Sequence, residues 1–373
     1  MHLLKEGKIL FIAPRYHTNQ IGIIRFLKKK YNLKFLSRTF GKIENYSDIK
    51  PIILRESFIS KIICFFFNKN NTNNNKLYYL PSLLSFLKFL NNWKPDIVII
   101  RYHGNLNLIY NLIICKIFCK KILIYNQINF FQLFKKKLIF FKKFKYFLLE
   151  KIFGIIHYSP LMPINKNFKN FFFLPFIIDK KNYKQKKKIF KTNILSIGKF
   201  EKRKNHLLLA RAINHLTLEK KNFKLTIVGE VSNSIHYKNY REILNYIQKK
   251  NLQKYIHLKK NINNKVIYKY YKKNDIFILA SEKEPCAISP FEAMAYGLPI
   301  ILADDNPLKV HFKNMKNCIY FKKNNFLDLA RNIEILVKTK YLFKKIQLNN
   351  SKLLDKYFSE KNFSHNFIKI LKK

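Results

Sequence analysis

Residues Asp275 to Pro299 read DIFILASEKEPCAISPFEAMAYGLP. The apolar run Ile276–Ala280 has the length of a buried parallel strand. A polar break, Ser281 to Pro285, follows it. Ser289 and Glu292 are spaced as a capping box, and Pro290 falls at the expected first helical position, where its missing N–H costs nothing. Gly297 and Pro299 then stop the helix. The stretch predicts strand, loop and short helix, with the loop at the carboxyl end of the strand. In open α/β sheets ligands bind at that end. Glu284 and Glu292 bracket the loop with seven residues between them, so both carboxylates are expected to face one crevice.

Upstream, Asn193-Ile-Leu-Ser-Ile-Gly198 predicts another buried strand. Lys199-Phe-Glu-Lys-Arg-Lys204 follows it, then Asn205 as an N-cap and a helical face of Leu208, Ala212 and Leu216. Strand, glycine, basic cluster and helix start together present N–H groups and cations to a phosphate. The plainer reading is one more lysine cluster in a lysine-rich chain. The position beside Gly198, and the order relative to Glu284 and Glu292, favour the phosphate. Further strands are expected at Lys224–Glu230, Tyr255–Leu258, Pro299–Ala303 and Cys318–Phe321. Helices are expected at Tyr237–Lys250, Phe326–Val337 and Leu342–Lys373. The first half repeats the alternation, with strands at Lys8–Pro14, Asn32–Leu36 and Lys121–Gln127, another within Lys94–Gly104 that ends at His103, and a helix over Leu83–Leu90.

The 373 residues suffice for two domains. Lys and Arg number 73 against 21 Asp and Glu, a formal charge of +52. That suggests a polyanion or an anionic membrane surface. An A/T-rich genome would produce the same excess of Lys, Asn, Ile, Phe and Tyr. The five cysteines sit in apolar contexts, as free thiols do in a reducing compartment. Cys115 and Cys119 lie on an apolar helical pattern without a matching His or Cys pair, which argues for core and against a metal site. There is no secretory signal pattern, and no apolar run reaches the ~18 residues of a spanning helix. Residues 130–153 interleave aromatics with lysines. Phe130, Phe134, Leu138, Phe141, Leu148 and Ile152 would share a helical stripe, which an anionic membrane or an ordinary core would accept. Asn68 to Asn75 is low-complexity and polar, a surface loop.

The run Glu284-Pro-Cys-Ala-Ile-Ser-Pro-Phe-Glu292-Ala-Met-Ala-Tyr-Gly-Leu-Pro299 resembles the donor-site motif of family 4 retaining glycosyltransferases, roughly E-G-F-G-x-x-x-x-E-A-M-A-x-G-x-P. Pro285 and Ala287 stand where the family has glycines, and Pro285 has no N–H to give. Gly198 to Lys204 resembles the family's G-R-L-x-x-x-K, with Lys199 at the arginine and Lys204 at the lysine; Lys keeps the charge but not the bidentate geometry. Pro95 to Gly104 resembles P-D-V-V-x-x-H-G, which sets His103 at a strand end. The likeness is close from Asn193 to Lys322 and ordered before that.

The resemblance implies an α/β fold of the GT-B type, two Rossmann-like domains facing each other across a cleft. The expected divisions are 1–180 for the acceptor, 181–350 for the donor and a helix over 351–373 crossing back to the first domain. It implies a retaining transferase that moves a sugar from a nucleotide-sugar donor to a glycan or lipid-linked acceptor, in cell-surface polysaccharide or glycolipid assembly. Lys199 and Lys204, with Gly198 and the backbone of Ala287 and Ile288, would hold the diphosphate. Glu292 would take the ribose and Glu284 the sugar hydroxyls, and His103 would stand near the reacting centre. No metal and no cofactor beyond the donor substrate is implied, nor any specific nucleic acid. The expected place is cytoplasmic, peripheral on the inner face of a membrane through 130–153. The competing expectation is a basic nucleic-acid- or membrane-surface-binding protein that keeps the fold without catalysis.

Overall fold

The computed structural model describes residues 7–41, 43–67, 80–102, 105–119, 121–127, 147–164, 171–181, 192–219, 223–282 and 284–373. They form two units: the amino-terminal part through Ile177 joined by Glu360–Lys373, and Ile178–Ser359. The chain therefore changes unit at 177/178 and 359/360, against expected divisions at 180 and 350. His103, the polar tract 68–75 and residues 130–146 of the aromatic–lysine stretch lie outside the described residues.

The first unit carries a parallel sheet of β1 (Lys8–Ile12), β2 (Asn32–Leu36), β3 (Ile97–Arg101), β4 (Lys121–Tyr125), β5 (Ile156–Ser159) and β6 (Phe171–Phe173). Their order is β2-β1-β3-β4-β5-β6. Both faces are covered, which is why β1, β3 and β4 read as nearly continuous apolar runs. Leu10, Val98, Ile100, Ile122 and Ile124 pack on one side; Ile9, Phe11, Ile99, Leu123 and Tyr125 pack on the other.

The expected single helix over Leu342–Lys373 is two helices, Lys340–Tyr357 and Glu360–Leu371. The break at Phe358 and Ser359 lets the last helix join the first unit. There Phe363 meets Phe26 edge-on, with ring centres 5.1 Å apart, and Phe367 meets Tyr31 at 6.1 Å. Each of these fully buried rings contributes about 1.5–3 kcal/mol.

The second unit repeats the plan with β7 (Thr192–Ile197), β8 (Phe223–Gly229), β9 (Ile256–Lys260), β10 (Ile276–Leu279), β11 (Ile300–Ala303) and β12 (Ile319–Phe321). All pairs are parallel, in the order β12-β11-β10-β7-β8-β9. The chain winds outward from β7 through β8 to β9. It then returns to lay β10 on the other side of β7 and winds the opposite way. The reversal lies between β7 and β10, where loops diverge and open a crevice at the carboxyl ends. The two stretches singled out in the sequence follow these two strands.

Candidate active site

After β7 the chain passes Gly198, turns through the short 3-10 segment Lys202–Lys204, and enters helix His206–Leu218. Gly198 donates its N–H to the Val228 carbonyl at 3.0 Å, and Phe200 donates to that of Glu230 at 3.2 Å. The loop is thereby anchored to the end of β8. A β-carbon on Gly229 would sit 2.4 Å from the Gly198 carbonyl oxygen, so only glycine lets these strand ends approach. Asn205 occupies the expected N-cap position, but it is left-handed (φ 52°) and makes no cap hydrogen bond. Its amide donates instead to Glu282 at 3.3 Å and Asn324 at 2.9 Å.

The loops after β7 and β10 are joined by charge. Lys204 Nζ donates to Glu284 Oε2 at 2.6 Å, and Arg203 Nη1 reaches the same oxygen at 3.0 Å. The Glu282 N–H donates to the Arg203 carbonyl at 2.8 Å. Arg203 Nε also contacts Glu201 Oε2 at 2.7 Å. Burial acts to raise the Glu284 carboxyl, but Lys204 and Arg203 outweigh it and hold the group below its usual range. Burial pulls the Lys204 ammonium down, against the opposing pull of Glu284. Lys199 lies with a different carboxylate, 3.4 Å from Glu230 Oε2. The bond of Glu201 to His236 is the main cause that holds its carboxyl near about 2.

Glu292 stands in the first turn of helix Ser289–Ala295. The expected capping box is not formed. Ile288 is already helical (φ −90°, ψ −27°), so Ser289 is the first helical residue and Pro290 the second. A cap needs an extended backbone to aim its side chain at the next N–H groups, and Ser289 lacks it. Glu292 Oε2 accepts the Tyr271 hydroxyl at 2.7 Å instead. Burial pushes the Glu292 carboxyl up, with the Tyr271 bond pulling the other way. The Tyr271 ring stacks on Tyr296 at 5.4 Å, with 6° between the planes. Ala287 and Ile288 lie on the loop between the two glutamates.

Of the expected residues, Lys204 and Glu284 are brought into direct contact. Lys199 and Glu292 each take another partner. Arg203 and Tyr271 were not singled out from the sequence. Arg203 was visible as part of the basic run, but Tyr271 lies 21 residues before Glu292 with no motif around it. In the amino-terminal unit a pocket of about 520 Å³, its open mouth included, lies at the carboxyl ends of β1, β2 and β3. Ile12, Ala13 and Ile100 line it, together with Arg38, Arg101, Asn107 and Asn111.

Residues 177–352 match the family described as Glycosyl transferases group 1. An alpha-monoglucosyldiacylglycerol synthase of Acholeplasma laidlawii is 33% identical over 95 residues, 24% of this chain and 24% of that protein. An uncharacterized glycosyltransferase of Haemophilus influenzae is 34% identical over 94 residues, 24% and 25% of the two chains. The chain thus spans about a quarter of the length of these curated relatives. Solved structures match over nearly the whole length. A glycosyltransferase from Rickettsia africae has a TM-score of 0.71 at 18% identity, covering 99% of this chain and 98% of that one. Anabaena HepE in complex with UDP-glucose has a TM-score of 0.73 at 11% identity, covering 98% and 100%. At these identities the likeness is one of fold, and the fold is GT-B. The match to the glycosyl transferases group 1 family lies in the unit that holds Lys204, Glu284 and Glu292.

Proposed function

We propose that the protein is a glycosyltransferase that moves a sugar from a nucleotide-sugar donor to a glycan or glycolipid acceptor, with retention of configuration and without a metal ion. The observation that carries this reading is the Arg203–Glu284–Lys204 cluster at the strand reversal between β7 and β10. A leaving nucleoside diphosphate gains negative charge as the sugar departs. Cations already fixed beside it stabilise that charge without reorganising. Glu284 does the fixing here, and Lys199, Ala287 and Ile288 add a cation and backbone N–H groups to the same phosphates. Glu292 accepts from the ribose hydroxyls, and the Glu284 carboxylate serves the hydroxyls of the transferred sugar. By resemblance, His103 takes part in the transfer.

Two of the similar proteins support the donor and acceptor classes. One relative makes a glucosyl diacylglycerol, and one structural neighbour holds UDP-glucose. The pocket at β1–β3 suits the acceptor, and cell-surface polysaccharide or glycolipid assembly is the process such an acceptor belongs to. On this reading the protein works at the cytoplasmic side of a membrane.

A thermal-shift screen of nucleotide sugars tests the donor. A ligand at a hundred times its Kd stabilises by about 2.7 kcal/mol. The donor found is then supplied with lipid and glycan acceptors in the presence of a chelator, and the anomeric configuration of the product is read by NMR. Salt-sensitive binding to random DNA, with no shift from any nucleotide sugar, would favour the non-catalytic alternative instead.

A further inference from the structure

The two sides of the amino-terminal sheet are covered by helices of opposite surface character. The side of Ile9 and Phe11 is packed by helices Ile21–Lys30 and Glu360–Leu371. Their outward faces are mainly polar: the first exposes Arg25 and Lys28 to Lys30, the second Glu360, Lys361, His365 and Lys369 with one apolar residue, Ile368. That is the ordinary division of an amphipathic helix.

The side of Leu10 and Val98 is packed by helices Leu83–Trp93 and Asn105–Phe118 and by the helical residues 147–153. Here the outward faces carry large apolar side chains. Helix Asn105–Phe118 exposes Leu106, Ile109, Ile113 and Ile117, at 51%, 41%, 52% and 68%, on a single stripe with Lys116. Helix Leu83–Trp93 opens with Leu83 and Leu84, 50% and 79% exposed, and turns polar beyond its first turn, at Lys88, Asn91 and Asn92. The residues 147–153 expose Phe147 and Ile152. Helix Phe58–Phe67 adds Phe58 and Ile59. It is tied to the start of helix Leu83–Trp93 by the Leu80 N–H, which donates to Ser60 Oγ at 3.1 Å.

These helices are neighbours. Tyr110 donates its hydroxyl to the Pro81 carbonyl at 2.6 Å and stacks on Phe86. Lys116 Nζ comes within 3.7 Å of the β-position of Gly154, which follows residues 147–153. A scattered exposed leucine needs no explanation, but apolar residues gathered on adjoining outward faces do. The charges among them decide the occupant. The exposed charged side chains on the described residues of these helices are lysines, Lys61, Lys88, Lys116 and Lys151, and the acid among them, Glu150, is half-buried. Helices satisfy their own backbone groups, so such a face asks for no hydrogen bonds from what covers it. An apolar interior topped by anions fits both features, with the lysine stems lying along the apolar surface and the ammonium groups reaching outward.

We propose that this side of the amino-terminal unit is a docking face for an anionic lipid surface, with the aliphatic stripe of helix Asn105–Phe118 entering the boundary between headgroups and acyl chains. The assignment stands without the transferase reading, because it rests on the surface alone. It would bring a lipid-borne acceptor to the pocket at β1–β3, two of whose walls, Phe86 and Leu108, come from the same helices.

The test is flotation of the full chain with vesicles of phosphatidylcholine alone or with phosphatidylglycerol added, at low and moderate salt. Because a chain of +52 adsorbs to any polyanion, the variants separate face from charge. Ile109→Gln with Ile113→Gln changes no charge, and both side chains are exposed, so the fold is retained. This pair is expected to lower partition onto anionic vesicles about tenfold, the scale of withdrawing two aliphatic side chains from a membrane. Lys28→Gln with Lys29→Gln, on the opposite side, is expected to leave partition within about twofold. A further variant, Ile113→Trp, is expected to shift its emission to the blue and be quenched by brominated acyl chains. The proposal is overturned by equal flotation of the Ile109/Ile113 variant and wild type, or by absence of quenching at Trp-substituted position 113. It is equally overturned if wild type is a dimer in solution that the Ile109/Ile113 variant converts to monomer, since the face would then be an interface between copies.

Discussion

Lys204 Nζ lies 2.6 Å from Glu284 Oε2, and the two side chains are only 9% and 5% exposed. This contact ties the strand-to-helix turn after β7 to the loop after β10, the two segments on either side of the strand reversal. It changes what a substitution at Lys204 should do. A lysine at an exposed turn packs little, and its loss would cost only function. A buried lysine leaves its carboxylate behind in a poorly solvating place. Lys204→Met is therefore expected to destabilise the fold by about 3 kcal/mol, the low end for breaking a buried pair, because Arg203 remains. Adding Glu284→Gln should return most of that loss while leaving turnover abolished. Denaturant melts of the two single variants and the double decide it; equal melts for Lys204→Met and wild type would show the pair to be energetically idle.

Glu292 and Tyr271 define a second prediction. Tyr271→Phe removes the hydroxyl that donates to Glu292 Oε2 but keeps the stack on Tyr296. Glu292→Gln keeps an acceptor for Tyr271 but loses the charge. If Glu292 holds ribose hydroxyls, the Gln variant weakens donor binding by about 1.5–3 kcal/mol, the range for hydrogen bonds to charged groups, with little change in Tm. Tyr271→Phe should weaken it less, by about 1 kcal/mol, since the carboxylate loses orientation and not charge. Titration of both variants with the donor found in the screen tests this. Unchanged Kd values in both would remove Glu292 from the donor site.

How much of this was legible varies by element. β7, β10 and β11 could be read because each is a short apolar run followed by a break, and a strand covered on both faces leaves that trace. β5 and β6 were not read as strands; Ile156–Ser159 mixes His, Tyr and Ser, and its burial depends on β4 and β6 beside it. The contact of Lys204 with Glu284 spans 80 residues, and sequence order alone could suggest that the two serve one site but not that they touch. The capping box was misread for a physical reason: Ser-x-x-Glu spacing specifies a cap only where the serine backbone is extended, and that depends on how the preceding loop approaches. The apolar outer faces on the side of Leu10 and Val98 were hidden because a helix apolar all round reads as core.

Glycine geometry gives a third prediction. A β-carbon on Gly229 would meet the Gly198 carbonyl oxygen at 2.4 Å and the Phe200 ring at 2.7 Å, both fixed atoms. On Gly198 it would meet only the methylenes of Lys204, the nearest at 3.1 Å. Gly229→Ala must push strand ends apart and is expected to cost about 1–3 kcal/mol, as overpacking does. Gly198→Ala is expected to cost less in stability but to displace Lys204 and reduce turnover. Melts and initial rates for both variants should show opposite rankings; equal rankings would mean that Lys204 is not positioned by the space above Gly198.

The last prediction concerns pH. His206 opens helix His206–Leu218, is 2% exposed, and has its Nε2 3.2 Å from the Gly198 carbonyl oxygen. Burial is the main force on it, and nearby Lys204 adds to it; together they pull the imidazole from 6.5 to about 4, against the Gly198 bond. The folded protein thus keeps His206 neutral in a range where the unfolded chain protonates it. Between about 6.5 and about 4 the unfolded state binds more protons, so stability rises with pH across that window. The contribution is present in full above about 6.5 and is lost as pH falls toward about 4, amounting to about 3 kcal/mol. Glu201 works in the same direction but lower, its carboxyl held near about 2, so its loss falls below about 4.5. Glu292, pushed up by burial, and His257, pulled down by burial, also act in the interval from about 6.5 to 4.5, and they cancel in the difference between wild type and a variant at position 206. His206→Gln keeps a side-chain N–H for the Gly198 carbonyl and has no proton to gain. Urea melts of both proteins at several pH values should give a stability difference that is constant above pH 7 and moves in favour of the Gln variant by about 2–3 kcal/mol on going to pH 4.5. Parallel curves through that interval would mean that His206 protonates as readily in the folded protein as in the unfolded chain.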